Sequence, residues 1–252
     1  MEKIKFMNIE IDNVTLDEAV DVINSYVNDN LKMFVVTPNV DHIVKLQNNK
    51  KFLDAYLNAG IVAVDGTPIV LAAKWYGTPL KEKITGPRLT EKVVEMASNN
   101  GFKVFFLGAG PGVGDTAAKK LLEKYPCFDY VGSYSPPFGF ENDAEEKQRI
   151  IDIINDSNAQ IVIAGMGSPK TEIFLNEICE ELNANVSLSV GAAIDFYAET
   201  VKRCPKWINR IGMEWFYRFL KDPKRMWKRY FIDDFAFFSL MIRYKKLTKG
   251  SR

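Results

Sequence analysis

The chain has 252 residues, 47% of them apolar, and a formal net charge of +1, which fits a soluble globular protein of one large α/β domain, alone or with an appendage. Its three cysteines are widely separated and odd in number, which argues against a disulfide framework or a zinc knuckle and favours a reducing cytoplasm. Residues 1–13 lack the apolar core of a signal peptide, and the longest C-terminal apolar run, residues 235–242, is far shorter than the roughly 20 residues that span a bilayer.

Residues 1–200 alternate short β-branched or aromatic runs with amphipathic segments, which predicts an α/β fold on a largely parallel sheet. Strands are predicted at residues 33–37, 61–64, 103–107, 130–133, 161–164 and 187–190. Helices are predicted at residues 16–28, 41–47, 51–58, 68–75, 88–99, 114–124, 145–156 and 170–182, the first beginning with a capping box from Thr15 to Glu18. Most strands are apolar without alternation, as expected when helices cover both faces, so the fold class is a Rossmann-like, doubly wound sheet.

After residue 201 the strand signals stop, and helices are predicted at residues 205–211, 213–221, 223–232 and 235–246. Residues 201–252 hold 15 Lys and Arg against 4 Asp and Glu, whereas residues 1–200 hold 18 basic and 28 acidic residues. The sequence therefore predicts an acidic α/β body, residues 1–200, with a basic helical appendage, residues 201–252. Such a charge asymmetry indicates an anionic partner.

Polar residues follow two of the predicted strands. Thr37 ends the first strand and Asn39 follows it; they are either parts of a turn or groups that face a ligand. Asp65 directly follows the second strand, where it either caps the next helix or lies at the mouth of a crevice as a usable base. Ligands of open α/β sheets bind beyond the carboxyl ends of the strands, which gives the second interpretation of each its weight.

A glycine-rich loop with Gly108, Gly110 and Gly112 lies between a predicted strand and a predicted helix. Backbone N–H groups of such a loop can approach a phosphate at the N-terminus of the helix. Position 113 is Val, so the G-x-G-x-x-G spacing is broken, and no acidic residue ends the next predicted strand. The loop therefore favours a nucleotide or nucleotide-sugar over NAD.

Two further predicted strands end in glycine-containing loops. Gly167, Lys170 and Glu172 follow one strand, and Gly191 and Asp195 follow the other. Either loop alone is explained by a tight turn, but the same pattern at five strand ends favours the rim of a ligand site.

Several catalytic motifs are missing from the sequence. His42 is the only histidine, which argues against a histidine-based triad or zinc site, and a histidine alone on a helix is more often structural. No G-x-x-x-x-G-K-[ST] phosphate loop and no D-x-D pair occur. We therefore expect neither a metal nor another cofactor. If the reaction releases a diphosphate, basic residues of the appendage are the expected source of the positive charge that stabilises it.

The appendage combines basic with aromatic residues. Arg218, Arg225 and Arg229 are seven and four residues apart, so an unbroken helix would place them near one face, although Pro223 favours a break. Three of the four tryptophans lie in this segment. The composition fits either a solvated basic surface or a segment that lies on an anionic membrane.

Together these motifs resemble the WecG/TagA/CpsF family of glycosyltransferases, over residues 4–231. The matching segments are Thr37-Pro38-Asn39, Asp65-Gly66, Thr85-Gly86-Pro87-Arg88, the Gly108 loop, residues 165–172, residues 191–196 and residues 203–218. The resemblance implies transfer of a sugar such as N-acetylmannosamine from UDP to undecaprenyl-diphosphate-linked N-acetylglucosamine, in the synthesis of wall teichoic acid or a related surface polymer. It also implies inversion at the anomeric carbon, no metal, and an appendage that engages the membrane and completes the active site.

Carried over residue by residue, the resemblance makes Asp65 the catalytic base. Thr37 and Asn39 line the pocket for the donor, and Asp195 contacts the nucleotide. Arg218 and Arg225 meet the diphosphates, with Lys228 or Arg229 as a third cation. We assign substrate binding also to Arg88, Gly108, Gly110, Gly112, Gly167, Lys170, Glu172 and Gly191. Cys204 stands where the family commonly has Ala, a conservative change.

These expectations describe a cytoplasmic enzyme, peripheral on the inner face of the cell membrane, that is a monomer or a weak oligomer and binds no nucleic acid. The donor stays open between UDP-N-acetylmannosamine, UDP-glucose and UDP-N-acetylmannosaminuronate. Two other classes of protein are alternatives. A nicotinamide-dependent oxidoreductase would use the Gly108 loop, and a non-catalytic nucleic-acid-binding protein would use the basic appendage.

Overall fold

The structure, a computed structural model, describes residues 1–200 and 234–250. The strands are β1 Lys3–Phe6, β2 Ile9–Asp12, β3 Met33–Val36, β4 Ile61–Val62, β5 Lys103–Gly108, β6 Asp129–Tyr134, β7 Ile161–Gly165 and β8 Val186–Ser189. The helices are α1 Leu16–Asn28, α2 Val40–Lys45, α3 Lys50–Asn58, α4 Thr67–Tyr76, α5 Gly86–Asn100, α6 Val113–Lys124, α7 Ala144–Asp156, α8 Lys170–Ile178, α9 Ala193–Tyr197 and α10 Asp234–Gly250, with a 3-10 turn at Phe140–Asn142. The helices predicted at residues 205–211, 213–221 and 223–232 lie outside the described residues.

Six parallel strands form the central sheet in the order β4-β3-β8-β7-β5-β6. Every residue of β3, β7 and β8 is buried, because one apolar cluster covers each face of the sheet. Burial on both faces explains why these strands are continuous apolar runs. The predicted Rossmann-like class and all six predicted strands are confirmed.

An N-terminal hairpin was not predicted. β1 and β2 pair antiparallel, with Lys3 opposite Asp12 and Phe6 opposite Ile9. The alternation of charged and apolar residues in this segment is the period of a half-buried strand, and the apolar residues do face the core. The Asp12 carboxylate accepts the N–H of Val62 at 2.8 Å, which joins the hairpin to the edge strand β4.

Within residues 1–200 the predicted helices are confirmed, with two corrections, and α10 covers the helix predicted at residues 235–246. The capping box at α1 is present, because Thr15 accepts from the N–H of Glu18 while Glu18 accepts from the N–H of Thr15. α8 ends at Ile178, four residues before the predicted end, and α9 was not predicted as a helix. The five residues of α9 are too few for a periodic pattern to show.

The C-terminal helix α10 packs on the body of the protein. Phe237 is 1% exposed and belongs to the core cluster on one face of the sheet. The hydroxyl of Tyr76 on α4 donates to the carbonyl of Met241 at 3.1 Å, and the rings of Tyr76 and Tyr244 are 5.1 Å apart. The predicted boundary between body and appendage near residue 201 stays a prediction. Among the helices of residues 1–200 and 234–250, none has the length and apolar character required to cross a membrane.

Candidate active site

The order in which the chain adds strands to the sheet reverses between the neighbouring strands β5 and β7. The chain leaves β5 toward the outer strand β6, whereas it leaves β7 in the opposite direction toward β8. A crevice forms outside the carboxyl ends of two such strands, and ligands of doubly wound sheets bind there. The loops after β3, β4, β5, β7 and β8 all reach this edge, so the five predicted ligand loops are on one side of the molecule.

The turn from β3 to α2 holds Thr37 and Asn39 in defined positions. The Thr37 hydroxyl is buried and donates to the carbonyl of Ser189, at the end of β8, at 3.0 Å. Asn39 is the N-cap of α2, and its side-chain oxygen accepts the N–H of His42 at 3.2 Å. Both side chains therefore have structural bonds at the predicted ligand edge, and their role in binding stays a prediction.

Asp65 lies next to this turn. Its N–H donates to the carbonyl of Pro38 at 2.9 Å, and its Oδ2 accepts the N–H of Gly86 at 3.2 Å. The alternative that Asp65 caps α4 is wrong, because Gly66 is the N-cap and no side chain caps this helix. The half-buried carboxylate is thus oriented by the start of α5, and the next residue, Gly66, lies beside the backbone of Asn39.

Backbone contacts between glycines bring the loops together. A β-carbon at position 86 would lie 2.3 Å from the carbonyl oxygen of Val190. One at Gly165 would lie 2.3 Å from the carbonyl oxygen of Gly191, and one at Gly108 would lie 2.6 Å from that of Gly165. Only glycine permits these approaches, so the loops after β5, β7 and β8 and the start of α5 form one packed rim.

The Gly108 loop leads into α6 as predicted. Gly108 and Gly112 have φ values of 97° and 72°, which favour glycine, and Gly112 is the N-cap of α6 without a side-chain cap. An uncapped helix N-terminus favours an anion. The carboxylate of Asp115 in the first turn accepts hydrogen bonds from the hydroxyls of Tyr130 and Ser133, at 2.6 and 3.1 Å. These two bonds hold the carboxylate against β6.

The two basic candidates of the body have ion-pair partners. Lys170, at the start of α8, pairs with Glu141 at 2.7 Å, and its Nζ lies 5.6 Å from the centre of the Phe138 ring. Arg88 pairs with Glu82 at 2.7 Å and donates to the carbonyl of Lys83. Substrate binding by either side chain would require it to exchange or share these partners.

Gly167, in the loop before α8, has a φ of 89° and an exposed backbone, and its carbonyl accepts from Thr171. Gly191 has a φ of 59° and is exposed after β8. The carboxylate of Asp195 lies on α9, where burial raises its pKa above the ordinary value and the Thr200 hydroxyl opposes this rise. All three lie on loops or helix starts that follow β7 or β8, at the predicted edge.

Glu172 differs from the other candidates because its side chain is buried, with 2% of the residue exposed. Its Oε1 accepts the hydroxyl of Ser189 at 2.8 Å and lies 4.0 Å from Nδ1 of His42. His42 Nδ1 is 2.6 Å from the hydroxyl of Tyr56. Burial raises the pKa of the Glu172 carboxyl to about 7, while the bond from Ser189 opposes the rise. The expected structural role of His42 agrees with its burial in this cluster.

Sequence reasoning missed Ser189 and the contact of Gly86 with Val190. Ser189 lies in the strand predicted at residues 187–190, and nothing in the sequence shows that its carbonyl bonds Thr37 after β3 while its hydroxyl bonds Glu172 on α8. Gly86 belongs to a motif of the resemblance, but its neighbour in space is 104 positions away. Both contacts join segments that are far apart in the sequence, so only the arrangement of the strands in the sheet reveals them.

Within residues 1–200 and 234–250, no three His, Cys, Asp or Glu side chains are grouped in a way that could hold a metal ion. Arg218, Arg225, Lys228 and Arg229 lie outside the described residues, and so do Cys204 and the tryptophans of the appendage. Their predicted contacts with diphosphates stay predictions.

Comparison with known proteins identifies the family. The sequence model of the glycosyl transferase WecG/TagA/CpsF family matches residues 4–251. Two similar curated proteins are both named N-acetylglucosaminyldiphosphoundecaprenol N-acetyl-beta-D-mannosaminyltransferase. The protein of Staphylococcus aureus strain MRSA252 is 27% identical over 89% of this chain and 87% of its own length. That of Bacillus spizizenii strain W23 is 28% identical over 81% of this chain and 77% of its own length. The chain therefore belongs to the WecG/TagA/CpsF family and is a glycosyltransferase.

Proposed function

We propose that this glycosyltransferase moves N-acetylmannosamine from a UDP donor to undecaprenyl-diphosphate-linked N-acetylglucosamine, in the synthesis of wall teichoic acid or a related surface polymer. The observation that carries the proposal is the position of Asp65, a half-buried carboxylate oriented by the Gly86 N–H beside the turn of Thr37 and Asn39. The names of the two relatives support the acceptor and the transferred sugar.

The proposed reaction is one displacement at the anomeric carbon. The acceptor hydroxyl of N-acetylglucosamine attacks that carbon, and Asp65 takes the hydroxyl proton as the new C–O bond forms. The bond between the anomeric carbon and the diphosphate oxygen breaks, and UDP leaves with the electron pair. A single displacement inverts the anomeric configuration.

The departing diphosphate needs positive charge or N–H donors around it. The uncapped N-terminus of α6 with the Gly108 loop offers backbone donors at the switch point. We propose that Arg218 and Arg225 complete this set with charge-assisted bonds. Arg218→Ala is then expected to lower turnover more than Asn39→Ala lowers the affinity for UDP. Unchanged turnover without the Arg218 side chain would remove this role.

We propose that no metal takes part, because these donors supply the stabilisation. Turnover in excess EDTA is expected to equal turnover without it, after the enzyme has been dialysed against the chelator. A loss of activity that Mg²⁺ or Mn²⁺ restores would overturn this part of the proposal.

The donor sugar is proposed from the names of the relatives. A competition assay with UDP-N-acetylmannosamine, UDP-glucose and UDP-N-acetylmannosaminuronate is expected to give the highest kcat/KM for the first. A higher value for either of the others would change the assigned sugar and leave the mechanism in place.

The basic appendage is proposed to hold the enzyme on the anionic inner face of the cell membrane. The charge of residues 201–252 supports this proposal. Full-length protein is expected to sediment with vesicles that contain phosphatidylglycerol, less so at high salt, and not with neutral phosphatidylcholine vesicles. Equal sedimentation with both lipids would contradict it. Removal of the whole appendage is a poor test, because it would also remove the buried Phe237.

The function is tested by the release of UDP from UDP-N-acetylmannosamine, in detergent, with and without the lipid-diphosphate N-acetylglucosamine acceptor. Acceptor-dependent release that is lost in Asp65→Ala, with UDP binding retained, is the expected result. Release that is independent of the acceptor, or an active Asp65→Ala enzyme, would contradict the proposed reaction.

A further inference from the structure

The end of β8 connects the two parts of the candidate site. The carbonyl of Ser189 accepts the Thr37 hydroxyl, and the carbonyl of the next residue, Val190, lies against Gly86. Gly86 in turn orients the Asp65 carboxylate through its N–H. A shift of the β8 terminus would therefore move both the turn after β3 and the proposed base.

The side chain of Glu172, on α8, forms a hydrogen bond with the side chain of Ser189. The Ser189 hydroxyl donates to Oε1 of Glu172 at 2.8 Å, and both residues are 2% exposed. The other carboxyl oxygen, Oε2, is buried and has no hydrogen-bond partner within the described part of the chain. The backbone N–H of Glu172 and the charge of Lys45 also stabilise the carboxylate, but burial outweighs them and raises the pKa of this group. A neutral carboxyl group in the same place costs far less than a buried charge.

We propose that Glu172 is a positioning residue of this glycosyltransferase, which holds the β8 terminus, and through it Thr37 and the Gly86–Asp65 pair, by accepting the Ser189 hydroxyl as a neutral acid. The inference rests on the proposed function for the role of Asp65. It differs from the assignment of Glu172 to substrate binding, because both carboxyl oxygens are shielded from the surface and the acid acts through Ser189.

Burial favours the neutral form of Glu172 more strongly than its charged and titratable neighbours favour the ionised one. From α2, His42 is 4.0 Å away, Lys45 attracts the carboxylate, and Asp41 repels it, while Lys45 is itself paired with Asp41 at 2.7 Å. From α3, Tyr56 lies beside His42, and burial raises the pKa of its hydroxyl far above the ordinary value, so it keeps its proton.

Because burial raises the pKa of Glu172 to about 7, the carboxyl group loses its proton near neutral pH. Once Glu172 is ionised, the cost of the buried charge exceeds the gain from a stronger bond with Ser189, so the contact between α8 and the β8 terminus is expected to open. A displacement of about 1 Å in a catalytic site can lower the rate by roughly 100-fold. The wild-type enzyme should therefore lose turnover on the alkaline side, at an apparent pKa near that of Glu172.

The test compares Glu172→Gln, which keeps the acceptor oxygen and cannot ionise, with Glu172→Ala, which removes it. Glu177→Gln is the matched control, because Glu177 lies on the same helix, is exposed, and pairs with Lys51 and Lys147. We expect Glu172→Gln to keep kcat within about threefold near pH 6 and to lose the alkaline decline, while Glu172→Ala lowers kcat at least tenfold with a smaller change in KM. Superimposable pH profiles of wild type and Glu172→Gln, or an inactive Glu172→Gln that binds UDP normally, would overturn the proposal.

A readout without turnover separates this inference from the proposed function. The infrared difference spectrum between wild type and Glu172→Gln is expected to show a neutral carboxyl band at about pH 6 that disappears above the pKa of Glu172. A carboxylate band at both pH values would refute the neutral acid even in a fully active enzyme. If no acceptor-dependent UDP release is found, the spectrum still tests the state of Glu172, and only its connection to Asp65 is lost.

Discussion

The contact between Gly86 and Val190 gives a prediction that links the fold to the position of Asp65. In Gly86→Ala the new β-carbon would lie 2.3 Å from the Val190 carbonyl oxygen and 3.0 Å from its carbon, whereas ordinary contacts begin at 3.4 Å. The start of α5 must therefore move by about 1 Å away from the end of β8. Overpacking of this kind costs about 1–3 kcal/mol, because a backbone carbonyl cannot turn aside as a flexible side chain can.

The same displacement carries the Gly86 N–H away from Oδ2 of Asp65, which it now meets at 3.2 Å. We expect Gly86→Ala to lower kcat by roughly 100-fold while the affinity for UDP changes less. Urea unfolding followed by circular dichroism measures the stability, and UDP release measures turnover. Gly66→Ala is the stability control, because its β-carbon would meet nothing closer than 3.8 Å and its backbone is extended. Equal unfolding midpoints for wild type and Gly86→Ala, together with normal turnover, would refute the reasoning.

Three further predictions concern stability. Phe237→Ala should lower the free energy of unfolding in urea by about 3–5 kcal/mol, because this side chain is 1% exposed. Its neighbour Phe238 is 57% exposed, so Phe238→Ala should change that free energy by no more than about 0.5 kcal/mol. Equal effects would mean that α10 does not pack on the body. Asn39→Ala should cost about 1 kcal/mol through loss of the α2 cap, and an unchanged midpoint would contradict that bond. The pKa of Glu172 in the folded state lies above its ordinary 4.5, so the free energy of unfolding should fall by up to about 3 kcal/mol as pH rises from about 4.5 to 7. Glu172→Gln should lack this decline. Parallel curves of unfolding free energy against pH for the two proteins would contradict the prediction.

The central sheet could be predicted from the sequence because its strands are short apolar runs separated by helices of regular period. All six strands were found, with ends within two residues of the structure. The hairpin of β1 and β2 was missed, although Ile4, Phe6, Ile9 and Ile11 alternate with charged or polar residues over most of it. Each strand has only four residues, and the pattern within one short strand does not show which other segment pairs with it.

The candidate site could be predicted as a set of loops but not as a set of contacts. Parallel strands place their carboxyl ends on one edge, so Thr37, Asp65 and Gly191 were expected together. The burial of Glu172 was not expected, because the face of α8 that packs inward depends on where α2 and α3 lie. The carboxylate after β4 offered two interpretations from sequence alone, and only the structure showed that Gly66 rather than Asp65 begins α4.

The most direct test of the central claim is the transfer of labelled N-acetylmannosamine from its UDP donor into a lipid-extractable product, with lipid-diphosphate N-acetylglucosamine as the acceptor. Wild type and Asp65→Asn are compared after isothermal titration has shown that both bind UDP. The account predicts a labelled disaccharide on the lipid for wild type and a loss of at least about 100-fold for Asp65→Asn. Equal labelling by the two enzymes would contradict the role of Asp65, and no labelling by wild type with any of the three UDP-sugars would contradict the proposed transfer.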